Sequence, residues 1–240
     1  YIIKQGLPYL NFDFFFNMPK PVGEPGGGAL NSIVGSGLII LCACIFFIPF
    51  SIMVGIYLAE TKTKFSSYVR LSINTLQSVP SIVYGIVVYA LLVLPFQSFS
   101  AISASVALGL MIVPMISKAT EETVGMIPET YKEAAYALGA PYYKTILKVI
   151  IPSAKNGILS GTLVGLSRIM GETAPLLFTA FGNQFFNLNI FKSMNALPLL
   201  IYNYATSPYQ EWQNIAWAAS LFLIIFVFFI NILTKLFLSK

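Results

Sequence analysis

The chain has 240 residues, of which 57% are hydrophobic and only 10% are charged, and its mean hydropathy is +0.78. Soluble domains carry about 25% charged residues, so this composition excludes an ordinary soluble protein and predicts a membrane protein. The formal net charge of +5 comes from bases scattered along the chain, which argues against a patch for nucleic acid. Histidine is absent, which excludes a histidine-based catalytic triad or metal site.

The first 29 residues are rich in aromatic residues, proline and glycine, and end in the run Gly26-Gly27-Gly28. Because prolines and glycines interrupt it, this segment is neither a cleavable signal peptide nor a membrane span. We expect residues 1–29 to form an irregular leader outside the membrane and residues 30–240 to form the membrane domain. The chain begins with Tyr1 rather than methionine, so we also expect a missing N-terminal segment.

Long charge-free runs follow the leader. A helix of about 20 apolar residues crosses a hydrocarbon core of roughly 30 Å, so each run can hold at least one span. The sequence therefore predicts an all-α polytopic membrane protein with about five transmembrane helices. Their approximate ranges are residues 33–58, 79–96, 101–119, 157–181 and 214–236. Cys42 and Cys44 lie on different faces of the first span, so we interpret them as small apolar residues rather than a disulfide or metal pair.

Basic residues predict the orientation of the chain. If the leader lies outside, ten lysines and arginines fall on the inner side, and only Lys4, Lys20 and Lys192 fall outside. An excess of bases on the cytoplasmic side is the usual pattern in membrane proteins. We therefore expect the N-terminus of this chain outside and the C-terminus in the cytoplasm.

The inner segment over residues 120–155 is too long for a simple connection between two spans. Glu129 favours a helix start, helix-forming residues follow it, and Gly139 favours a helix end. Pro141 then permits a second helix, which we expect to run to about residue 151. The segment is therefore predicted to be a cytoplasmic helix-turn-helix loop.

One predicted span carries charged residues. Arg168 lies about 17 Å from Gly157 at roughly 1.5 Å per residue, near the middle of the membrane, and Glu172 follows on the same face. Gly157, Gly161 and Gly165 share this face, and small residues allow helices to pack closely. We expect this glycine stripe to lie at a helix–helix interface that lines a pathway between two subunits.

The long loop carries a spaced motif. It reads Glu133-Ala134-Ala135, three residues, Gly139, nine residues, and then a hydrophobic run that ends in Pro152. This pattern resembles the signature loop of the permease subunits of ABC importers. The resemblance implies a coupling helix that docks on a separate ATPase subunit. The residue types fit such a contact, because small side chains permit close approach and the glutamate can pair with a base.

Three further segments narrow the resemblance: the run at residues 24–28, the run at 78–85, and the run at 168–178 with the sequence RIMGETAPLLF. They are similar to the PstA-type phosphate permease family over nearly the whole chain. The resemblance implies a second, PstC-type permease subunit, an ATPase dimer that holds ATP and Mg²⁺, an external phosphate-binding protein and the lipid of a bacterial inner membrane. It implies no catalytic residue, metal or cofactor in this chain, and one more span before the leader.

A charged residue near the middle of a membrane is costly and marks a transport pathway by default. We therefore expect Arg168 to bind phosphate transiently, because a guanidinium donates two parallel hydrogen bonds to phosphate oxygens. Glu172 is expected to neutralise Arg168 when the pathway is empty. Residues aligned with Arg168 are linked to transport in the family. The alternative is a structural ion pair between two helices. Four polar residues near the inner end of the second span rank lower, either as a polar gate or as groups that cap helices and form interhelical hydrogen bonds: Asn74, Gln77, Ser78 and Ser81.

Other functions stay open on the residues alone. Within the family, the alternatives are a PstC-type subunit or a permease for another oxyanion. A secondary transporter would not need the coupling loop, and the five predicted spans show no internal duplication. An intramembrane enzyme would need catalytic groups that the spans lack. No Gly-Lys-Ser/Thr pattern follows the glycines at 26–28, so we expect ATP hydrolysis on another chain.

Overall fold

The computed structural model describes residues 1–24 and 26–238, and the regular elements within them are helical. In chain order the helices are α1 (Ile2–Gly6), α2 (Phe12–Phe16), α3 (Leu30–Glu60), α4 (Lys64–Ser78), α5 (Ser81–Phe96), α6 (Ala101–Gly125), α7 (Thr130–Ala137), α8 (Tyr142–Met170), α9 (Ala174–Thr179), α10 (Leu197–Ala205) and α11 (Gln210–Leu238). The end of the bundle next to α7 is called the loop end, and the opposite end is called the leader end.

Within the described residues, four helices are long and apolar enough to cross a membrane, namely α3, α6, α8 and α11. The pair α4 and α5 passes the same test together, although the chain bends by 106° between them, and this pair makes a fifth span. The prediction of an all-α polytopic membrane protein with about five spans is therefore confirmed.

Helix α6 lies at the centre of the bundle. In its most apolar window 72% of the residues are buried, compared with 22% in each of α3, α8 and α11. Helix α3 runs parallel to it in a fixed register, because the Ser105 hydroxyl donates to the Ile39 carbonyl and the Ser117 hydroxyl donates to the Ser51 carbonyl, both at 2.9 Å. Gly55 permits this close contact, since a Cβ there would lie 2.5 Å from the Ser117 carbonyl oxygen. The two helices therefore form one firmly packed pair.

The glycine stripe of α8 also packs on α6. A Cβ on Gly157 would overlap the Thr123 side chain, and a Cβ on Gly161 would overlap Ala119. Gly165 faces α6 one turn further along. The stripe thus lies at a helix–helix interface, but this interface is inside the chain. The expectation that it lines a contact between two subunits is corrected by this packing.

The second span is longer than predicted and is broken. Helix α4 stops at Ser78 because Pro80 has no N–H to continue it and disfavours a helical conformation at Val79, whose ψ is 131°. Helix α5 then begins in a different direction. The predicted range of 79–96 covers only α5, since the polar composition of α4 hides it from a search for apolar runs.

The fourth span differs most from its prediction of 157–181, because α8 begins at Tyr142 and stops at Met170 before α9. A π-helical turn at Ile146–Ile150 lies within α8 and leads into an α-helical part that has Pro152 in its first turn. The missing N–H of a proline costs little there. The predicted helix end near residue 151 is therefore wrong, and the second helix of the loop is the start of α8.

The leader is folded rather than irregular. It contains α1 and α2, and Gly6 fits against α11, where a Cβ would lie 2.6 Å from the Trp217 carbonyl oxygen. The Asn11 side chain caps α2 by accepting a hydrogen bond from the Phe14 N–H at 3.0 Å. The Phe14 ring is buried in a cluster with residues of α10 and α11. The leader therefore packs on the helix bundle at the leader end.

The packing of α8 on α6 predicts the effect of enlarging a glycine. We expect Gly161→Leu to destabilise the chain by about 1–3 kcal/mol, because the side chain cannot enter the contact with α6 without displacing it. Gly37→Leu is the matched control, since a Cβ at this helical glycine meets nothing within 4 Å. The measurement is the midpoint of thermal unfolding in detergent. Equal midpoints for the two variants would show that the stripe is not a tight contact.

Candidate functional site

The structure brings the two predicted pathway residues together near the middle of the bundle. Arg168 lies in the last turn of α8, and Glu172 lies in the break before α9. Arg168 Nε is 3.7 Å from Glu172 Oε1, and Arg168 Nη1 is 3.6 Å from the sulfur of Met115 on α6. Met115 lies about 15 to 21 Å from the two ends of α6 at roughly 1.5 Å per residue. Arg168 is therefore far from both ends of the central helix.

The Arg168 guanidinium is only loosely held. Its side chain is 45% exposed, whereas that of Glu172 is 19% exposed. A charge-assisted hydrogen bond between such groups is usually about 2.7–2.9 Å, so a separation of 3.7 Å indicates a weak pair. A guanidinium has five N–H donors, and the contacts with Glu172 and Met115 do not occupy all of them. The exposed side of the group is thus able to bind an oxyanion.

A constriction lies directly beside Arg168. Its walls enclose a cavity of only about 10 Å³, which is at most the space of one water molecule. Tyr84 closes it from the α5 side: this side chain is buried, and its hydroxyl donates a 2.7 Å hydrogen bond to the Leu76 carbonyl of α4. The Leu76 carbonyl also accepts the Val79 N–H at 3.1 Å, but it has no helical donor four residues on, because that residue is Pro80. The full set of lining residues is Leu76, Gln77, Val79, Tyr84, Met111, Pro114, Met115 and Arg168.

Helix α5 packs against α9 close to the constriction. A Cβ on Gly85 of α5 would lie 2.7 Å from the Cα of Pro175 of α9, so the absence of a side chain lets the two helices touch. Tyr84, the neighbouring residue, faces the constriction. The break in the second span and the end of α8 therefore both lie near the Arg168 side chain.

A charged cleft of about 440 Å³ lies at the loop end of α4 and α6, two of the helices that also line the constriction. Arg70 is held there by a 2.7 Å ion pair with Glu121 and by donating to the Leu58 carbonyl at 3.0 Å. Asn74 lines this cleft and Gln77 lines the constriction, three residues apart on one face of α4. A polar face of α4 thus connects the surroundings of Arg168 with the cleft. The cleft is lined by Leu58, Ala59, Lys62, Arg70, Asn74, Lys118, Glu121, Glu122 and Gly125.

The motif residues of the loop lie on and around α7. Glu133 and Ala134 are exposed, whereas Ala135 is buried against the bundle. Gly139 has a φ of +76°, which a side chain would strain, and this conformation turns the chain from α7 toward α8. Pro152 lies apart from them, inside α8. Four of the five motif residues therefore belong to one exposed element.

An ion pair that the sequence did not predict holds α7 against α3. Lys132 Nζ lies 2.8 Å from Glu60 Oε1, and the two side chains are only 13% and 8% exposed. Burial lowers the pKa of the Lys132 ammonium, but the neighbouring carboxylates of Glu60 and Glu129 outweigh it, so the pKa lies above its usual value. The amino group therefore stays charged at neutral pH. The sequence signal was an acidic residue at the end of an apolar run, which resembles any solvated helix end.

Comparison with known proteins identifies the family. Residues 51–240 match the family model described as binding-protein-dependent transport system inner membrane component. The phosphate transport system permease protein PstA of Yersinia pestis is 39% identical over 99% of this chain and 81% of its own length. PstA of Xylella fastidiosa (strain 9a5c) is 42% identical over 96% of this chain and 81% of its own length. This chain belongs to the PstA permease family.

Solved structures support the same fold for this PstA-family chain. A chain of the MetNI methionine ABC transporter in an inward-facing conformation superposes with a TM-score of 0.69 at 20% identity, over 87% of this chain and 92% of that one. A chain from an amino acid ABC transporter crystallised with histidines gives a TM-score of 0.61 at 16% identity, over 87% and 91%. At these identities the likeness concerns the fold alone. The predicted family and its membrane fold are both confirmed.

The hydrogen bond across the break in the second span of this PstA-family chain predicts how the constriction opens. Tyr84→Phe keeps the ring but removes the hydroxyl that binds the Leu76 carbonyl. Loss of a bond worth about 1 kcal/mol raises the open population about fivefold. The readout is the rate at which a water-soluble maleimide modifies Met111→Cys, a buried lining position, in a Cys42→Ser/Cys44→Ser background.

Tyr89→Phe is the matched control for this measurement. Tyr89 lies on the same helix, and its ring packs on Phe99 at a centroid distance of 6.2 Å, a contact that phenylalanine retains. We expect labelling at the wild-type rate in this variant. If both tyrosine variants react equally fast, the Tyr84 hydroxyl does not hold the constriction closed.

Proposed function

We propose that this chain is a permease subunit that carries inorganic phosphate across the bacterial inner membrane along a path past Arg168. The observation that carries this proposal is a half-exposed guanidinium near mid-height of the bundle, beside the break in the second span. Phosphate as the substrate is supported by the names of the relatives, which are phosphate transport system permease proteins.

Arg168 suits a transient phosphate site for electrostatic reasons. A phosphate anion is strongly disfavoured near the middle of a membrane, and a guanidinium compensates its charge while donating two parallel hydrogen bonds to its oxygens. Glu172, 3.7 Å away, then competes with the anion for the same group. This competition weakens binding, which permits release, and leaves the arginine paired in the empty state.

The proposed path continues from Arg168 to the loop end. The constriction beside Arg168 has to widen before an anion can pass, since the cavity there is only about 10 Å³. Beyond it, the polar face of α4 leads to the charged cleft, where Lys62 and Lys118 lie beside the Arg70–Glu121 pair and Glu122. The predominance of bases at this end supports a cytoplasmic placement, with the leader end outside.

A separate motor is proposed at the loop end. Helix α7 carries the exposed part of the family motif, and it also exposes Tyr131, Tyr136 and the adjoining Leu138; a group of exposed apolar side chains is typical of an interaction surface. We assign this surface to an ATPase dimer that binds ATP and Mg²⁺, so that this chain itself needs no cofactor. A second, PstC-type permease would cover the exposed side of Arg168, and an external binding protein would deliver phosphate at the leader end.

The decisive variant is Arg168→Gln. We expect phosphate uptake to fall at least tenfold, because a lost charged bidentate contact is worth about 1.5–3 kcal/mol. Uptake is measured in proteoliposomes that contain the complete transporter, and assembly is checked by co-purification of its subunits. Lys155→Gln is the matched control, since it removes one positive charge from the exposed side of the same helix. Wild-type uptake by an assembled Arg168→Gln transporter would refute the role of this residue.

A further inference from the structure

The buried ion pair between Glu60 and Lys132 joins the exposed loop helix to the bundle. Glu60 is the last residue of α3, and Lys132 lies on α7, whose Glu133 and Ala134 point away from the pair into solvent. Among the ion pairs of the described residues, the Glu60–Lys132 pair is the one that links α7 to a spanning helix. The peptide chain itself connects α7 only to α6 and α8. The pair therefore adds a third attachment, to α3.

Its burial makes this attachment stiff. Exposed ion pairs between long side chains hold their partners weakly, because water competes for both charges. Here the side chains are 8% and 13% exposed, and removal of either partner would leave a poorly solvated charge behind. Glu129 also approaches Lys132, at 3.5 Å, but its own side chain is 78% exposed. Glu129 directly precedes α7 and moves with it, so the ion pair that resists a displacement of α7 is the one with Glu60.

A continuous series of contacts leads from Glu60 to the constriction. Helix α3 is fixed in register with α6 by the hydroxyls of Ser105 and Ser117, which donate to α3 carbonyls at 2.9 Å. On α6, two residues before Ser117, the sulfur of Met115 contacts Arg168. While these hydrogen bonds hold, a movement of α3 along its axis carries α6 with it. The wall of the constriction then moves as well.

We propose that Glu60 and Lys132 are positioning residues that transmit the displacement of α7 through α3 and α6 to the constriction at Arg168. This inference rests on the proposed function, in which a separate ATPase docks on α7. In this arrangement the pair acts on neither phosphate nor ATP. It determines how much of the ATPase movement reaches the path.

The test is the number of phosphate ions transported per ATP hydrolysed by the complete reconstituted transporter. We expect Glu60→Gln and Lys132→Gln to lower this ratio about tenfold while ATP hydrolysis stays within about twofold of wild type. Charge exchange in Glu60→Lys/Lys132→Glu re-forms the pair and is expected to restore most of the ratio. Glu129→Gln is the matched control, because it removes the exposed carboxylate beside Lys132 and keeps the link to α3.

A purely structural pair would give a different result. Lower yield or thermal stability with an unchanged ratio would overturn the inference, and so would an assembled exchange variant that stays uncoupled. If the charge variants do not assemble, the double variant Glu60→Cys/Lys132→Cys is made in the Cys42→Ser/Cys44→Ser background. A short bis-maleimide reagent then joins the two new cysteines and replaces the ion pair by a covalent link. The inference requires a low ratio before bridging and a high one afterwards, and equal ratios overturn it.

The same experiment separates this inference from the proposed function. If the wild-type transporter moves no phosphate, or if the ATPase does not associate with this chain, the proposed function fails. If the wild type transports phosphate at a steady ratio that the Glu60 and Lys132 variants leave unchanged, only the inference fails.

Discussion

The position of one arginine in the middle of an apolar bundle is the constraint on which the rest of the structure depends. A guanidinium cannot lose its charge there, so the protein has to surround it with polar groups or leave it access to water. This chain places the arginine in the last turn of α8, next to the break in its second span. The end of α4, the break after α8 and the Tyr84 hydroxyl together place backbone and side-chain polar groups around Arg168. The apolar remainder of the bundle then holds these interruptions in place.

Helix α6 provides that support. It is the most buried of the four continuous spans in the described part of the chain. Its serine hydroxyls donate to carbonyls of α3, and the glycines of α8 fit against its side chains, so both neighbours are held in register. At the break in the second span, the side-chain hydrogen bond that joins the two parts is the one from Tyr84 to Leu76. The structure therefore combines a rigid centre with weak points at the site, which is the arrangement a transporter needs if one region is to open while the fold persists.

The spans with long apolar runs were predictable from the sequence, because length and hydropathy alone decide them. Arg168 and Glu172 were predictable as a pair since helical spacing places them on one face. The break between α4 and α5 was not predictable, because α4 is too polar to register as part of a span. The start of α8 was also missed, because Pro152 had the appearance of a helix end although the π-helical turn before it lets α8 continue. Tyr84 and Glu60 were missed for a different reason. Each depends on a partner that only the fold brings close, Leu76 for the first and Lys132 for the second.

The polar character of α4 has a consequence for how the protein enters the membrane. A helix with two basic residues and several serine, threonine and asparagine side chains is not transferred into lipid on its own. Its buried contacts come from elsewhere: Ile73 packs with Leu58 of α3 and Val113 of α6. Since α6 is synthesised after α4, the contact of Ile73 with Val113 forms only once the third span has been made. The final packing of the second span therefore has to follow the synthesis of the third.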